Sequence, residues 1–136
     1  MDASFSEIRI GQAYSRHELA ALWGCADFHA LARGVVTPQG DNKVILFVTE
    51  EKQPSAEPYE DRLTGDLLQW EGPNDHFGED RVINAKRNGE EIHLFYRDRH
   101  HSEFIYRGKL ELVNCRRLSD EPSKFTLRLV SATGSR

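Results

Sequence analysis

Apolar residues recur along this chain in two rhythms. After Ser15, the residues Leu19, Leu22 and Trp23 fall at helical spacing, and Glu18 stands three positions beyond Ser15 as a capping box requires. The spacing predicts a helix over "SRHELAALWG" that Gly24 ends. Elsewhere the rhythm is two. Ile92, Leu94 and Tyr96 alternate with His93, Phe95 and Arg97; Phe104, Tyr106, Leu110 and Leu112 continue the alternation around a bend at Gly108; Phe125, Leu127 and Leu129 close it. "KVILFVT" (Lys43 to Thr49) is unbroken apolar and β-branched, as a strand covered on both faces would be, and "DLLQW" reads as a short strand. "TPQGDN" is a turn. A second helix is predicted over "RVINAKR", capped by Asp80 and closed by Asn88-Gly89. Strands on polar turns with an N-terminal and a middle helix give an α+β fold with a curled, mostly antiparallel sheet.

Two polar segments do not fit either rhythm. "EEKQPSAEPYEDRLTG" is too long for a tight connection and is expected to carry function, as is "GPNDHFGED" with its exposed Phe77. The first is unusual in placing Tyr59, and then Trp70, among turn formers and alternating charges. Such aromatics either plug the core or wait for a flat ligand.

Composition narrows the choice. A chain of 136 residues is expected to form one domain over residues 1–136, with about two-thirds of its extended surface buried. Cys25 and Cys115 have no metal or redox spacing and are expected to be reduced thiols. No apolar run approaches the ~20 residues that span a bilayer, and no signal peptide opens the chain, so a cytoplasmic protein with no membrane contact is expected. The net charge of −4 hides an asymmetry. From Arg81 to Arg117, Arg81, Lys86, Arg87, Arg97, Arg99, Arg107, Lys109, Arg116 and Arg117 outnumber five acids, so that half suits phosphates and equally suits an ordinary mixed surface.

Catalytic patterns are weak. Asp41, Glu50 and Lys52 in "DNKVILFVTEEK" resemble the metal site of restriction nucleases, but an extended strand between them separates Asp41 from Glu50 by roughly 30 Å at ~3.3 Å per residue. Asp98, His100, His101 and Glu103 in "RDRHHSEF" are possible metal ligands of a small metal-dependent hydrolase or nuclease, yet converge only through a turn. No phosphate loop, nucleophile elbow or Cys/His dyad is present. Neither a metal nor a cofactor is expected. Residues 59 to 71 instead have the composition that reads a nucleobase outside the stack. Tyr59 and Trp70 offer faces, Asp61 an acceptor for an exocyclic amine and Arg62 a phosphate contact. The plainer reading buries Trp70 in the core and uses Asp61 to cap a turn.

The ordered set "YSRHELAALWG", "ARGVV", "VILFVT", "YEDRLTGDLLQWEG", "NGEEIHLFYRD" and "FIYRGKLEL" resembles the C-terminal reader domain of bacterial modification-dependent (type IV) restriction enzymes, from about Ile8 to Val130. The most specific piece is Tyr59-x-Asp61 followed by Trp70, then Gly89 and "IHLF". In that family the domain accompanies a phospholipase-D-like nuclease and helicase, or an HNH nuclease. It is similar in fold to SRA and other PUA-like domains, whose sheet grips duplex DNA around a flipped modified cytosine. The resemblance implies a non-catalytic reader of 5-methyl- or 5-hydroxymethylcytosine in double-stranded DNA, serving a nuclease or helicase domain of the same or a partner chain. It implies Tyr59 as the stacking face, Asp61 as the base-edge acceptor and Trp70 as a pocket wall or its support, with Glu71 and Phe77 beside them. Arg62, Lys86, Arg87, Arg97, Arg99, His100 and His101 would hold the DNA backbone. The chain departs from the family where many members carry a Ser- or Gln-bearing turn, here Glu71-Gly72-Pro73-Asn74-Asp75-His76-Phe77. Related domains read a backbone phosphorothioate through an apolar dimple beside basic residues, which Phe77 near Pro73, or Tyr96 near Arg97, would have to form.

Overall fold

The computed structural model describes residues 3–25, 28–38, 41–50, 61–73, 75–99 and 101–130. In chain order the elements are β1 (Ala13–Tyr14), α1 (Arg16–Leu22), a 3-10 turn (Phe28–Leu31), β2 (Val35–Val36), β3 (Lys43–Thr49), β4 (Arg62–Thr64), β5 (Leu67–Glu71), α2 (Glu79–Asn88), β6 (Glu91–Arg97), β7 (Phe104–Arg116) and β8 (Lys124–Leu129). The strands form one sheet in the order β2-β3-β6-β7-β8-β5-β4, with β1 added against β7. All pairings are antiparallel except β3 with β6.

Local chemistry explains the elements. Ser15 Oγ accepts from the Glu18 amide (3.0 Å) while the Ser15 amide donates to Glu18 Oε1 (2.8 Å), so the capping box is complete in both directions. The α2 start differs from the expected Asp80 cap. Gly78 holds the N-cap position at φ 81°, and Glu79 and Asp80 lie within the first turn, near the helix's unpaired amides. Packing dictates this choice, because a Cβ on Gly78 would lie 2.7 Å from Val35 Cγ1. The bend expected at Gly108 is a bulge. Leu94 pairs with Gly108 but Phe95 with Tyr106, leaving Arg107 as the extra residue, and Gly108 takes φ 108°. The strands β1, β2 and β4, two or three residues each, are too short to leave a pattern in the sequence.

The sheet buries both faces of its β3–β6 centre. Val44, Leu46, Val48, Leu94 and Tyr96 face one core, which also holds Val82 and Ala85 of α2, Leu68 and Trp70 of β5, and Phe125 and Leu127 of β8. Ile45, Phe47 and Phe95 face a second core with Leu19 and Ala20 of α1, Trp23 at its C-cap, and Phe104 and Tyr106 of β7. Burial on both sides is why β3 reads as one apolar run. The thirteen-residue β7 pairs with β6 through Leu110 and with β8 from there on, and the sheet curls along it. The curl carries the β4–β5 hairpin round to the far edge. The Leu63 amide of β4 donates to the Tyr96 hydroxyl of β6 (3.4 Å), and that hydroxyl donates to the Glu50 carboxylate. The sheet stays unclosed, with a seam between its two ends.

Candidate nucleic-acid interface

At that seam lies a cavity of about 440 Å³, within the range of roughly 300–1,000 Å³ typical of small-ligand sites. One wall comes from the β4–β5 hairpin and the turn after it: Asp61, Trp70, Glu71, Gly72 and Pro73. The opposite wall comes from α1 and the ends of β2, β3 and β6, chiefly Arg16, Arg33, Phe47, Thr49 and Arg97.

The acidic wall is fixed from behind. Asp61 is 8 % exposed, and its Oδ1 accepts from the Glu71 amide at 2.9 Å, an arrangement favoured because Arg62 pairs with Gln69 in the hairpin immediately beyond. Trp70 is 4 % exposed with its ring centroid 5.1 Å from that of Phe125, so it serves the core and the cavity together. Trp70 is thus a core residue that also lines the cavity.

The opposite wall is cationic and aromatic. Phe47, 5 % exposed, stacks on Phe95 at 5.1 Å and meets Phe104 edge-on. The Arg16 guanidinium sits 4.8 Å from the Phe47 centroid and 4.9 Å from that of Phe104, with Nε donating to the Leu31 carbonyl at 2.6 Å. Arg97 lies 4.2 Å from the Phe104 centroid, its Nε donating to Thr49 Oγ1 (2.7 Å) and Nη1 to the Ser102 carbonyl (3.0 Å). Burial, and then the neighbouring Arg97 charge, bring the Arg16 pKa down to about 10; burial also lowers that of Arg97.

The turn after β5 is clasped across the seam. Arg33 Nη2 contacts both Asp75 oxygens (3.0 and 2.9 Å), which holds the Asp75 carboxyl below its usual range, and the same guanidinium lies 4.3 Å from the Phe77 centroid. Behind it, the buried Glu79 carboxylate takes the Ser123 hydroxyl (3.1 Å) and pairs with His76 Nδ1 (2.5 Å), which raises the His76 pKa.

The structure thus brings Asp61, Trp70, Glu71 and Arg97 to one cavity. Arg97, expected on the DNA backbone, lies in the cavity wall. Phe77 stands one layer back: 39 % exposed, it supports Arg33 rather than lining the cavity. Arg62 is exposed on β4, and Arg99 and His101 are exposed in the β6–β7 turn, where His101 takes φ 70°. Lys86 and Arg87 are exposed but near the Glu91 end of β6, about 20 Å from its Arg97 end at ~3.3 Å per residue. They are therefore apart from the cavity. Tyr59 and His100 lie outside the described residues. Of the residues named for a phosphorothioate dimple, Tyr96 is buried in the first core beneath the Leu63 amide, and Arg33 lies over the Phe77 ring. Asp41 and Glu50 flank β3 at opposite ends, as the strand reading requires.

Sequence reasoning missed Arg16, Arg33, Phe47 and Thr49. Arg16 looked like one polar residue of a helix start, and Phe47 one apolar position of a buried strand. Only the curl, which brings both edges of the sheet to one place, marks them as site residues.

No family model and no curated protein matches this sequence. Among solved structures, the SUVH5 SRA domain in complex with hemimethylated CG DNA superposes with a TM-score of 0.67 at 15 % identity, over 97 % of this chain and 95 % of that one. The same domain with methylated CHH DNA gives 0.61 at 13 % identity over the same shares. The DNA modification-dependent restriction endonuclease AspBHI gives 0.53 at 16 % identity, over 90 % of this chain and 73 % of that chain. At such identities the likeness is one of architecture, and the chain has the SRA-like fold.

Proposed function

We propose that residues 1–136 form a single, non-catalytic DNA-binding module that recognises a modified base, 5-methyl- or 5-hydroxymethylcytosine, by flipping it into the seam cavity. One observation carries the reading: a single cavity in an SRA-like sheet combines two carboxylates, two aromatic rings and a cationic rim. Everting a base costs a few kcal/mol of stacking and pairing, which a pocket must return through contacts unavailable in the duplex. Asp61 accepts from the exocyclic amine of cytosine, and Phe47 and Trp70, with Tyr59, exclude water and give the ring apolar surface. Charge at the Arg33 side of the mouth, with Arg62, Arg99, His100 and His101, meets phosphates.

The similar structures support this reading, being an SRA domain with methylated DNA and a modification-dependent restriction endonuclease. On this account the chain acts in the cytoplasm and directs a nuclease domain, in the same or a partner chain, to modified foreign DNA.

A gel-shift panel tests it: one duplex carrying cytosine, 5-methylcytosine, 5-hydroxymethylcytosine or a backbone phosphorothioate. A modified base should be preferred, and all binding should weaken steeply with salt as phosphate contacts release counterions. Equal binding of all four duplexes, or preference for the phosphorothioate alone, refutes the proposal.

A further inference from the structure

Two of the three guanidiniums that line the cavity, Arg16 and Arg97, make no ion pair among the described residues. Arg16 and Arg97 both lie over Phe104, and among the described residues their hydrogen bonds go to neutral acceptors: the carbonyls of Leu31 and Ser102 and the hydroxyl of Thr49. Among the described residues no carboxylate pairs with either. Two like charges partly stripped of water on one ring repel each other, and the lowered Arg16 pKa has Arg97 among its causes. Two guanidiniums held together with no directly paired carboxylate among the described residues favour an anion between them. The remaining donors are open to that role. Arg16 uses only Nε and Arg97 leaves Nη2 unused among the described residues, and both side chains line the cavity. Thr49 accepts from Arg97, so its own hydroxyl proton is directed elsewhere.

We infer that Arg16, Arg97 and Thr49 form an oxyanion subsite within the cavity, which takes a negatively charged oxygen group of the everted nucleotide. The inference rests on the base-flipping proposal and refines it. Two sources have this chemistry: a phosphate flanking the everted nucleotide, or a carboxyl group carried by the base itself at C5. Guanidinium groups suit either, because both present paired oxygens to a planar fork of donors. The pocket then has opposite electrical preferences on its two walls, amine donors meeting Asp61 and Glu71 and anionic oxygens meeting Arg16 and Arg97.

Four duplexes separate these sources: cytosine, 5-methylcytosine, 5-methylcytosine flanked by neutral methylphosphonate linkages, and 5-carboxylcytosine. Affinity is measured for the wild-type chain, Arg16→Gln and Arg97→Gln. With a phosphate source, the neutral linkages weaken wild-type binding about 10- to 100-fold, the usual range for a hydrogen-bonded charge, and barely affect the variants. With a base source, the 5-carboxylcytosine duplex binds about tenfold or more tighter than the 5-methylcytosine duplex, and the variants lose that advantage. The free protein supplies a second readout that needs neither flipping nor a variant. Inorganic phosphate should shift the Nε–Hε resonances of Arg16 and Arg97 saturably. If 5-methylcytosine is not preferred over cytosine but phosphate still shifts both resonances, the reader proposal fails and the subsite stands. If 5-methylcytosine is preferred but neither duplex replacement separates wild type from the variants and phosphate moves neither resonance, the subsite is overturned and the reader proposal stands.

Discussion

The two walls of the cavity are built on different cores. The acidic wall hangs on Trp70, which packs against Phe125 in the core beneath α2; the cationic wall hangs on Phe47, which packs against Phe95 and Phe104 in the core beneath α1. They meet only because the sheet curls. A site made this way has walls that can be damaged separately, so each can be assigned its own share of stability and recognition.

The heaviest damage should come from the packing of the acidic wall. Trp70→Ala removes a nearly sealed indole and is expected to cost about 3–5 kcal/mol, as large-to-small core changes do, measured by urea unfolding. A cost of a few tenths would mean that Trp70 belongs to the cavity alone. The core behind the cationic wall is tested by acid. His93 is buried there, stacked on Phe5 at 3.8 Å, its Nδ1 facing the Tyr106 hydroxyl (2.7 Å) and Nε2 the Glu91 carboxylate (3.0 Å). Burial, against the pull of Glu91, brings its pKa down from 6.5 to about 4. The unfolded chain therefore binds the proton first, and stability that is complete above pH 6.5 drains as pH falls toward 4, by roughly 3 kcal/mol. Urea midpoints from pH 7 to 4 should fall in the wild type and fall less in His93→Gln; parallel curves would contradict this.

Recognition should follow the acidic wall. Asp61→Asn keeps an acceptor for the Glu71 amide but loses the charge, and discrimination between modified and unmodified duplex is expected to drop about 10- to 100-fold in competition assays. The smallest effect belongs to the clasp. Arg33 and Asp75 are about half exposed (49 % and 61 %), and a double-mutant cycle should return about 0.2–1 kcal/mol, the range of exposed pairs.

The elements of this fold were legible where pattern and chemistry are local. The Ser15–Glu18 box, the Lys43–Thr49 strand and the Gly108 bulge lie where sequence alone places them. The start of α2 did not follow from the sequence, because what sets it is the distance from Gly78 to Val35, residues far apart in the chain. The site divides the same way. Asp61, Trp70 and Glu71 are neighbours in sequence across one hairpin and could be read together; Arg16, Phe47 and Thr49 join them through tertiary curl, which leaves no periodicity. Lys86 and Arg87 show the converse, since nearness in a basic stretch placed them with Arg97 although a full strand separates them.

On the proposed function, a modified cytosine leaves the helix and enters the seam between the two walls. Placing 2-aminopurine beside 5-methylcytosine in a duplex reports this directly, because its fluorescence rises when its neighbour unstacks. A rise is expected on binding of the wild-type chain, absent with the unmodified duplex and weakened in Asp61→Asn. Tight, modification-dependent binding with no change in fluorescence would contradict it.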